Sequence, residues 1–342
     1  MSWIPTCHRP KGYCFRKETL KTPRLKMSEK IIDPISPESI MAELTPDRLL
    51  RTTNKGGNEI YVVDAHNSPA TMREIGRLRE IAFRSAGGGT GKSCDIDMYD
   101  TMEPPCRQLI VWSPEDREII GGYRFILGKD IKIEDGVPRI ATSHMFSFSP
   151  EFISGYLPQT IELGRSFVRL EYQSSRAGAK AIFALDNLWD GLGALTVEYP
   201  EIKYLFGKFT MYPSYDRECR DMLLYFLNKH FPDTDNLCRP FSPIARGDGD
   251  GKFERMFPGH DFKEDYRILN SAIREHGINI PPLVNAYMSL SPTLKVFGTA
   301  INDEFGDVEE TGIFLTIAEV YEEKKDRHIN SYHPGDGHLG EI

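Results

Sequence analysis

Residues 160–198, TIELGRSFVRLEYQSSRAGAKAIFALDNLWDGLGALTVE, leave few choices of fold. The stretch opens as a strand, IELGRSFVRL, turns through Gln, Ser, Ser, Arg and Gly, and continues without proline into an apolar helix. A strand that feeds a helix in this way aims free backbone N–H groups at the turn, and phosphate is a natural occupant. Glu162 and Arg165 interrupt the apolar strand. Charges inside a buried strand need partners or a chemical task, so this segment is the expected active centre.

The flanking sequence predicts the sheet around it. EIYVVDA (59–65) reads as a strand, and TMREIGRLREIAFRS places Met72, Ile75, Leu78, Ile81 and Ala82 on one helical face, with Asn67 or Ser68 as its cap. AGGGTGKS (86–93) has the outline of a phosphate loop but follows an amphipathic helix instead of a buried strand, so it is expected to be a flexible connection. In CDIDMYD, Asp95, Asp97 and Asp100 approach calcium-loop spacing but lack the glycine and closing glutamate. No metal is expected there. These acids are read by default as a solvated loop, with attraction of a cationic amine as the sharper alternative.

RQLIVWS (107–113) and IIGGYRFILG (119–128) predict an antiparallel hairpin, with Gly121 and Gly122 at a bulge or a close backbone approach. Arg124 within it is either paired structurally or faces the cleft. IKYLFGKFTM (202–211) predicts another buried strand, and residues 212–232 an amphipathic helix with Cys219, Met222, Leu223, Phe226 and Leu227 inward. This order implies a mixed α/β (α+β) sheet covered by helices. Residues 238–261 are Gly, Pro and Asp rich and are expected to be irregular, while 294–300 and 312–319 are apolar segments joined by an acidic turn.

A net charge of −8 and a pI near 5.7 argue against general nucleic-acid binding. Residues 1–26 carry Arg9, Lys11, Arg16, Lys17, Lys21, Arg24 and Lys26 against Glu18 alone, and have no periodicity. They are expected to be a disordered basic leader before a start at Met27, or else a contact for a membrane surface or a carrier protein. The cysteines show no C-x-x-C spacing, and His328, His333 and His338 lack metal-ligand spacing. A cytoplasmic protein, with possible peripheral contact at the inner membrane face, is the expectation.

LREIAFR, DIDMYD, IGGYRFI, ELGRSFV, FGKFTMYP and AINDEFGDVEETGIFLTI together resemble the hemolysin-like N-acyltransferases of the GNAT superfamily, over residues 59–329. The variant QSSRAGAKAIFALDNLWDGLGAL is similar to the Bacteroidetes enzymes that make N-acylglycine, and the family is related to the first acyltransferase of ornithine-lipid synthesis. The resemblance implies a GNAT-like, mostly antiparallel twisted sheet with a core over 59–237, a loop over 238–261, a C-terminal part over 262–329 and a tail over 330–342. It also implies transfer of a long 3-hydroxyacyl chain from acyl carrier protein to an amino-acid α-amine, with glycine as the expected acceptor, in aminolipid synthesis and without metal or redox cofactor. Read from Gln173, Arg176 stands where the usual coenzyme A turn has glycine, and only Gly178 is near. A carrier-protein thioester, with one phosphate to hold, is therefore the expected donor over acyl-CoA. An acyl-homoserine-lactone-type synthase and a non-catalytic acyl-binding protein are the alternatives.

Amide formation needs a neutral amine, whereas free α-amines are mostly protonated at neutral pH. Glu162 is the candidate base, against an ion pair of Glu162 with Arg165 or Arg124. Residues 162 and 165 fall on opposite faces of a regular strand, and a bulge between them brings them to one side. Arg165 or Arg124 suits the acceptor carboxylate and Asp100 its amine. Backbone N–H groups at Ser166 and Phe167 suit the thioester carbonyl, and Ser174, Ser175, Arg176, Gly178 and Lys180 form the donor-phosphate set. Trp189 and Phe183 read as helix core.

Overall fold

Alternating β-branched and aromatic residues build strands whose two faces are both covered. In the computed structural model, which describes residues 28–173, 179–245, 247, 251–259, 261–333 and 335, eight strands form one sheet. They are β1 (Leu49–Thr52), β2 (Glu59–Val63), β3 (Arg107–Ser113), β4 (Glu118–Leu127), β5 (Thr160–Val168), β6 (Tyr204–Met211), β7 (Lys295–Asn302) and β8 (Val308–Thr316). Their spatial order is β1-β2-β3-β4-β5-β6-β8-β7, and every neighbouring pair is antiparallel except β5 with β6. The mixed, mostly antiparallel sheet expected from the sequence is the one observed.

Helix α1 (Pro69–Ser85) covers one face, burying Met72, Ile75, Leu78 and Ala82 against Ile110, Trp112 and Phe167, while Ile81 stays half-buried. Its start differs from expectation. Ser68 is the N-cap residue, as one of the two expected, but makes no capping bond, its hydroxyl accepting from Arg48 at 3.0 Å, and Asn67 is taken up by Asp64; the carboxylate of Glu43 accepts from the N–H groups of Ala70 and Thr71 at 3.0 and 2.7 Å. A carboxylate suits free helix-start donors as well as a local hydroxyl does.

The opposite face carries α2 (Ala179–Glu198), whose Ala184, Leu188, Leu192 and Leu195 pack on Leu109, Val111, Phe125 and Ile161. On the same side, α3 (Arg217–His230), α4 (Phe262–Glu275) and α5 (Pro282–Met288) pack around Phe209, Met211, Ile313 and Leu315. Cys219, Met222, Leu223, Phe226 and Leu227 are all buried, as their spacing predicts. A Cβ at Gly121 would meet the Phe167 carbonyl oxygen at 2.6 Å, and one at Gly122 that of Leu109 at 2.7 Å. The close backbone approach at these glycines is therefore real.

Two segments carry more structure than expected. Cys238–Pro240 pairs with Phe146–Phe148, and Lys252–Met256 is helical within the stretch read as irregular. The N-terminal segment supplies β1. The apolar C-terminal segments become β7 and β8 and complete the same sheet beside β6. No helix among the described residues is long and apolar enough to cross a membrane.

Candidate functional site

The site begins with one misfit in strand register. Gly122 pairs with Phe167 and Arg124 with Gly164, so Tyr123 faces both Arg165 and Ser166, and Arg165 adopts a φ of 48°. The extra residue is a bulge, which re-aims the side chain it carries. Arg165 and Arg124 both reach Asp97, at 3.4 and 2.7 Å, and Glu162 pairs across from Ile126 on the face that Arg124 shares. The bulge thus brings Glu162 and Arg165 to one side.

Around it lies a buried charge cluster. Arg165 Nε lies 3.0 Å from Asp95, Arg79 lies 3.2 Å from Asp100, and Arg124 lies 3.4 Å from Asp100. Asp97 and Asp100 close a capping box on the turn Met98–Thr101. The solvated-loop expectation is therefore wrong: Asp95 and Asp100 are fully buried, because three arginines neutralise the three acids. Burial pushes the Asp97 carboxyl up, but Arg124 and Arg165 outweigh it and hold the group well below the usual carboxylate range. Burial raises Asp95, with Arg165 opposing.

The placement of the sequence candidates follows. Arg124 is committed to Asp97 and Asp100, and Asp100 to Arg79 and to Gln108 Nε2 at 3.0 Å. Glu162 is buried and accepts from Thr142 Oγ1 at 2.8 Å. Arg165, Ser166 and Phe167 line a cavity; Arg124, Asp100 and Glu162 do not. Ser174, Ser175, Arg176 and Gly178 lie outside the described residues, and Lys180 is described only as backbone of α2. The glycine loop at 86–91 proves organised: Glu80 accepts from Thr90 N at 3.1 Å, Thr90 Oγ1 at 2.7 Å and Gly91 N at 2.8 Å. Its amides hold the protein's own carboxylate, which accounts for its phosphate-loop outline without a phosphate.

The cavity exists because β5 and β6 separate. They pair in parallel only at Thr160 with Tyr204, Ile161 with Leu205 and Glu162 with Phe206. Beyond Glu162 the β5 edge loses its partner, and a space of about 800 Å³ opens between the strands. On the α2 side its wall is apolar, with Leu163, Leu205, Leu283, Leu290, Ile313 and Trp189. Trp189 is partly core, as expected, but also lines this space and meets Tyr287 edge-on at 6.0 Å between ring centroids. The α1 side is polar, with Arg165, Lys208, Thr210 and Glu310.

Three residues of this wall escape sequence reasoning. Tyr123 is 3% exposed, and its hydroxyl is buried beside Ser166 and Tyr287. Burial raises its pKa, so it stays a phenol donor at neutral pH. Lys208 Nζ lies 2.9 Å from Glu310 Oε2. Lys208 carried a signal, a charge within an otherwise apolar strand, the pattern that singled out Glu162; Glu310 read as part of the acidic turn between the C-terminal segments and carried none. Among the described residues Asp216, Cys219 and His276 bring metal-donor atoms within 4.8 Å of one another, but Asp216 caps α3 and burial pushes the Cys219 thiol up to about 12.

Residues 78–182 match the Acetyltransferase (GNAT) domain family. A glycine N(alpha)-acyltransferase of Bacteroides thetaiotaomicron is 63% identical over 89% of this chain and 90% of its own length. One of Phocaeicola vulgatus is 61% identical over 89% of this chain and 94% of its own. A solved CoA-dependent acyl-homoserine lactone synthase covers 80% of this chain and 89% of its own, but at 12% identity and a TM-score of 0.34 the likeness bears no weight. Identity above three-fifths across nearly the whole chain is decisive: the chain belongs to the family of these N-acyltransferases, and the protein is an acyltransferase.

Proposed function

We propose that the protein transfers a long acyl chain from an acyl-carrier-protein thioester to the α-amine of glycine, supplying a lipoamino acid for aminolipid synthesis. The observation that carries this reading is the cavity between β5 and β6, apolar on one side of the sheet and charged on the other. A thioester arm and acyl chain suit the apolar side, and a small zwitterion suits the charged side. The names of the two relatives support glycine as the acceptor. The carrier-protein donor rests on the turn sequence, where Arg176 replaces the expected glycine. The donor phosphate is assigned to the start of α2, with Ser174, Ser175, Arg176, Gly178 and Lys180.

The chemistry divides among the residues at the parted strands. The amine nitrogen attacks the thioester carbonyl carbon, the C–N bond forms, and the C–S bond breaks with departure of the thiolate. Ser166 and Phe167, on β5 beyond its last pairing with β6, and the Tyr123 phenol are assigned as donors to the developing oxyanion. The ammonium must first lose a proton. Glu310, which lines the cavity, is assigned to receive it; Glu162 lies behind the opening, bonded to Thr142. The second amine proton leaves with the thiolate, which departs as thiol.

Incubation of the purified full chain with glycine and an acyl-carrier-protein thioester, or with the matching acyl-CoA, tests this. Thiol release with an N-acylglycine mass, faster from the carrier thioester, is expected. No release from either donor, or a lactone product, overturns it.

A further inference from the structure

We propose that Lys208 and Glu310 together form the receptor for the acceptor's two charges, Lys208 taking the amino-acid carboxylate and Glu310 the ammonium. This rests on the reading of the protein as an amino-acid N-acyltransferase and names the residues that distinguish an amino acid from a simple amine.

Lys208 pairs across from Gly312, and Glu310 across from Thr210, so the two charged side chains are diagonal neighbours on one face of β6 and β8. Their side chains are 8% and 3% exposed, and both line the cavity. A buried ion pair adds little stability over apolar residues of similar size, so its place in the cavity wall calls for a ligand. The pair is also incompletely used. An ammonium has three donors, and Glu310 is the one carboxylate within ion-pair distance of Lys208 among the described residues.

Glu310 is held asymmetrically. Its Oε2 meets Lys208 and accepts from Asn302 Nδ2 at 3.1 Å, and Asn302 is itself fixed by His144 Nε2 at 3.2 Å from its Oδ1. Among the described residues its Oε1 has only the long 3.3 Å bond from Thr210. One oxygen is anchored and the other is open to a cationic ligand. Arg165, the other cavity-lining cation named from the sequence, is already matched by Asp95 at 3.0 Å and Asp97 at 3.4 Å. Arg124 does not reach the cavity. Lys208 therefore has the capacity for an additional carboxylate.

The test compares glycine with glycinamide, which keeps the amine and lacks the carboxylate, by following thiol release from the acyl thioester. In Lys208→Met the ratio of kcat/KM for glycine to that for glycinamide is expected to fall about tenfold, the cost of one hydrogen bond to a charged group. Because Lys208→Met leaves a buried carboxylate unpaired, Lys208→Met/Glu310→Gln is measured beside it as a neutral wall, and the same fall is expected. An unchanged ratio in both variants overturns the assignment. A wild-type enzyme that acylates another α-amino acid in place of glycine overturns the choice of glycine alone, and the ratio is then read with that amino acid and its amide. A wild-type enzyme that favours amines without a carboxylate overturns the receptor.

Discussion

The guanidinium of Arg165 lies 4.3 Å from the centroid of the Phe305 ring, with Asp95 and Asp97 at its edge. Phe305 sits in the β7–β8 turn, so one contact ties the bulge of β5 to a strand pair beyond β6. Cation, ring and carboxylates hold the bulge from three sides.

This arrangement sets an acid limit on stability. The folded-state pKa of Asp97 is depressed, so its contribution is complete above the unfolded value near 4 and is lost as pH falls below it. Urea unfolding from pH 6 to pH 3 is expected to show stability falling across that window, with a shallower fall in Asp97→Asn. An equal slope in the variant contradicts the assignment.

The two buried glutamates should separate in kinetics. Glu310→Gln is expected to lower turnover with glycine about a hundredfold, as removal of a proton acceptor does. Glu162→Gln keeps an acceptor for Thr142 and should remain close to the parent. Reversal of these two results would return the base to Glu162.

Tyr123→Phe removes a buried hydroxyl that lies beside Ser166 and Tyr287. Stability is expected to fall by no more than about 1 kcal/mol, the net worth of one hydrogen bond between neutral groups. Turnover should fall about a hundredfold, as it does on loss of an oxyanion donor. Unaltered turnover would remove the phenol from the reaction.

Gly164 offers a probe of the cavity itself. A Cβ there would meet nothing within 4 Å, and the residue lines the cavity. Gly164→Val should fold normally and lose activity by filling the space between the strands. Gly128→Ala is the contrast, since its Cβ would collide with the Leu157 carbonyl oxygen, at an expected cost of about 3 kcal/mol. A fully active Gly164→Val would show that the donor takes another route.

Periodicity and turn chemistry made the sheet legible in advance. The hairpin at Gly121 and Gly122, the inward face of α3 and the strand at Glu162 all follow from local pattern. What pattern misses is pairing at a distance. Nothing near Asp95 or Asp100 in sequence announces Arg79, Arg124 and Arg165, so their acids read as solvated until the fold brings the charges together. Lys208 and Glu310 are far apart in sequence, and only strand register makes them neighbours. Arg165 was legible as a charge out of place, but its direction depends on one extra residue in a strand.

The short run of pairing between β5 and β6 also has a mechanical meaning. Three residue pairs join them, whereas β6 and β8 match along their whole length, from Tyr204 with Thr316 to Met211 with Glu309. The sheet is in effect two plates, of five strands and three, riveted along a narrow seam. Flexing there disturbs fewer main-chain bonds than at any other long-strand boundary. For the proposed thioester donor, the Arg165 contact with Phe305 is then the cross-link beyond the seam that holds the two plates together where the strands part.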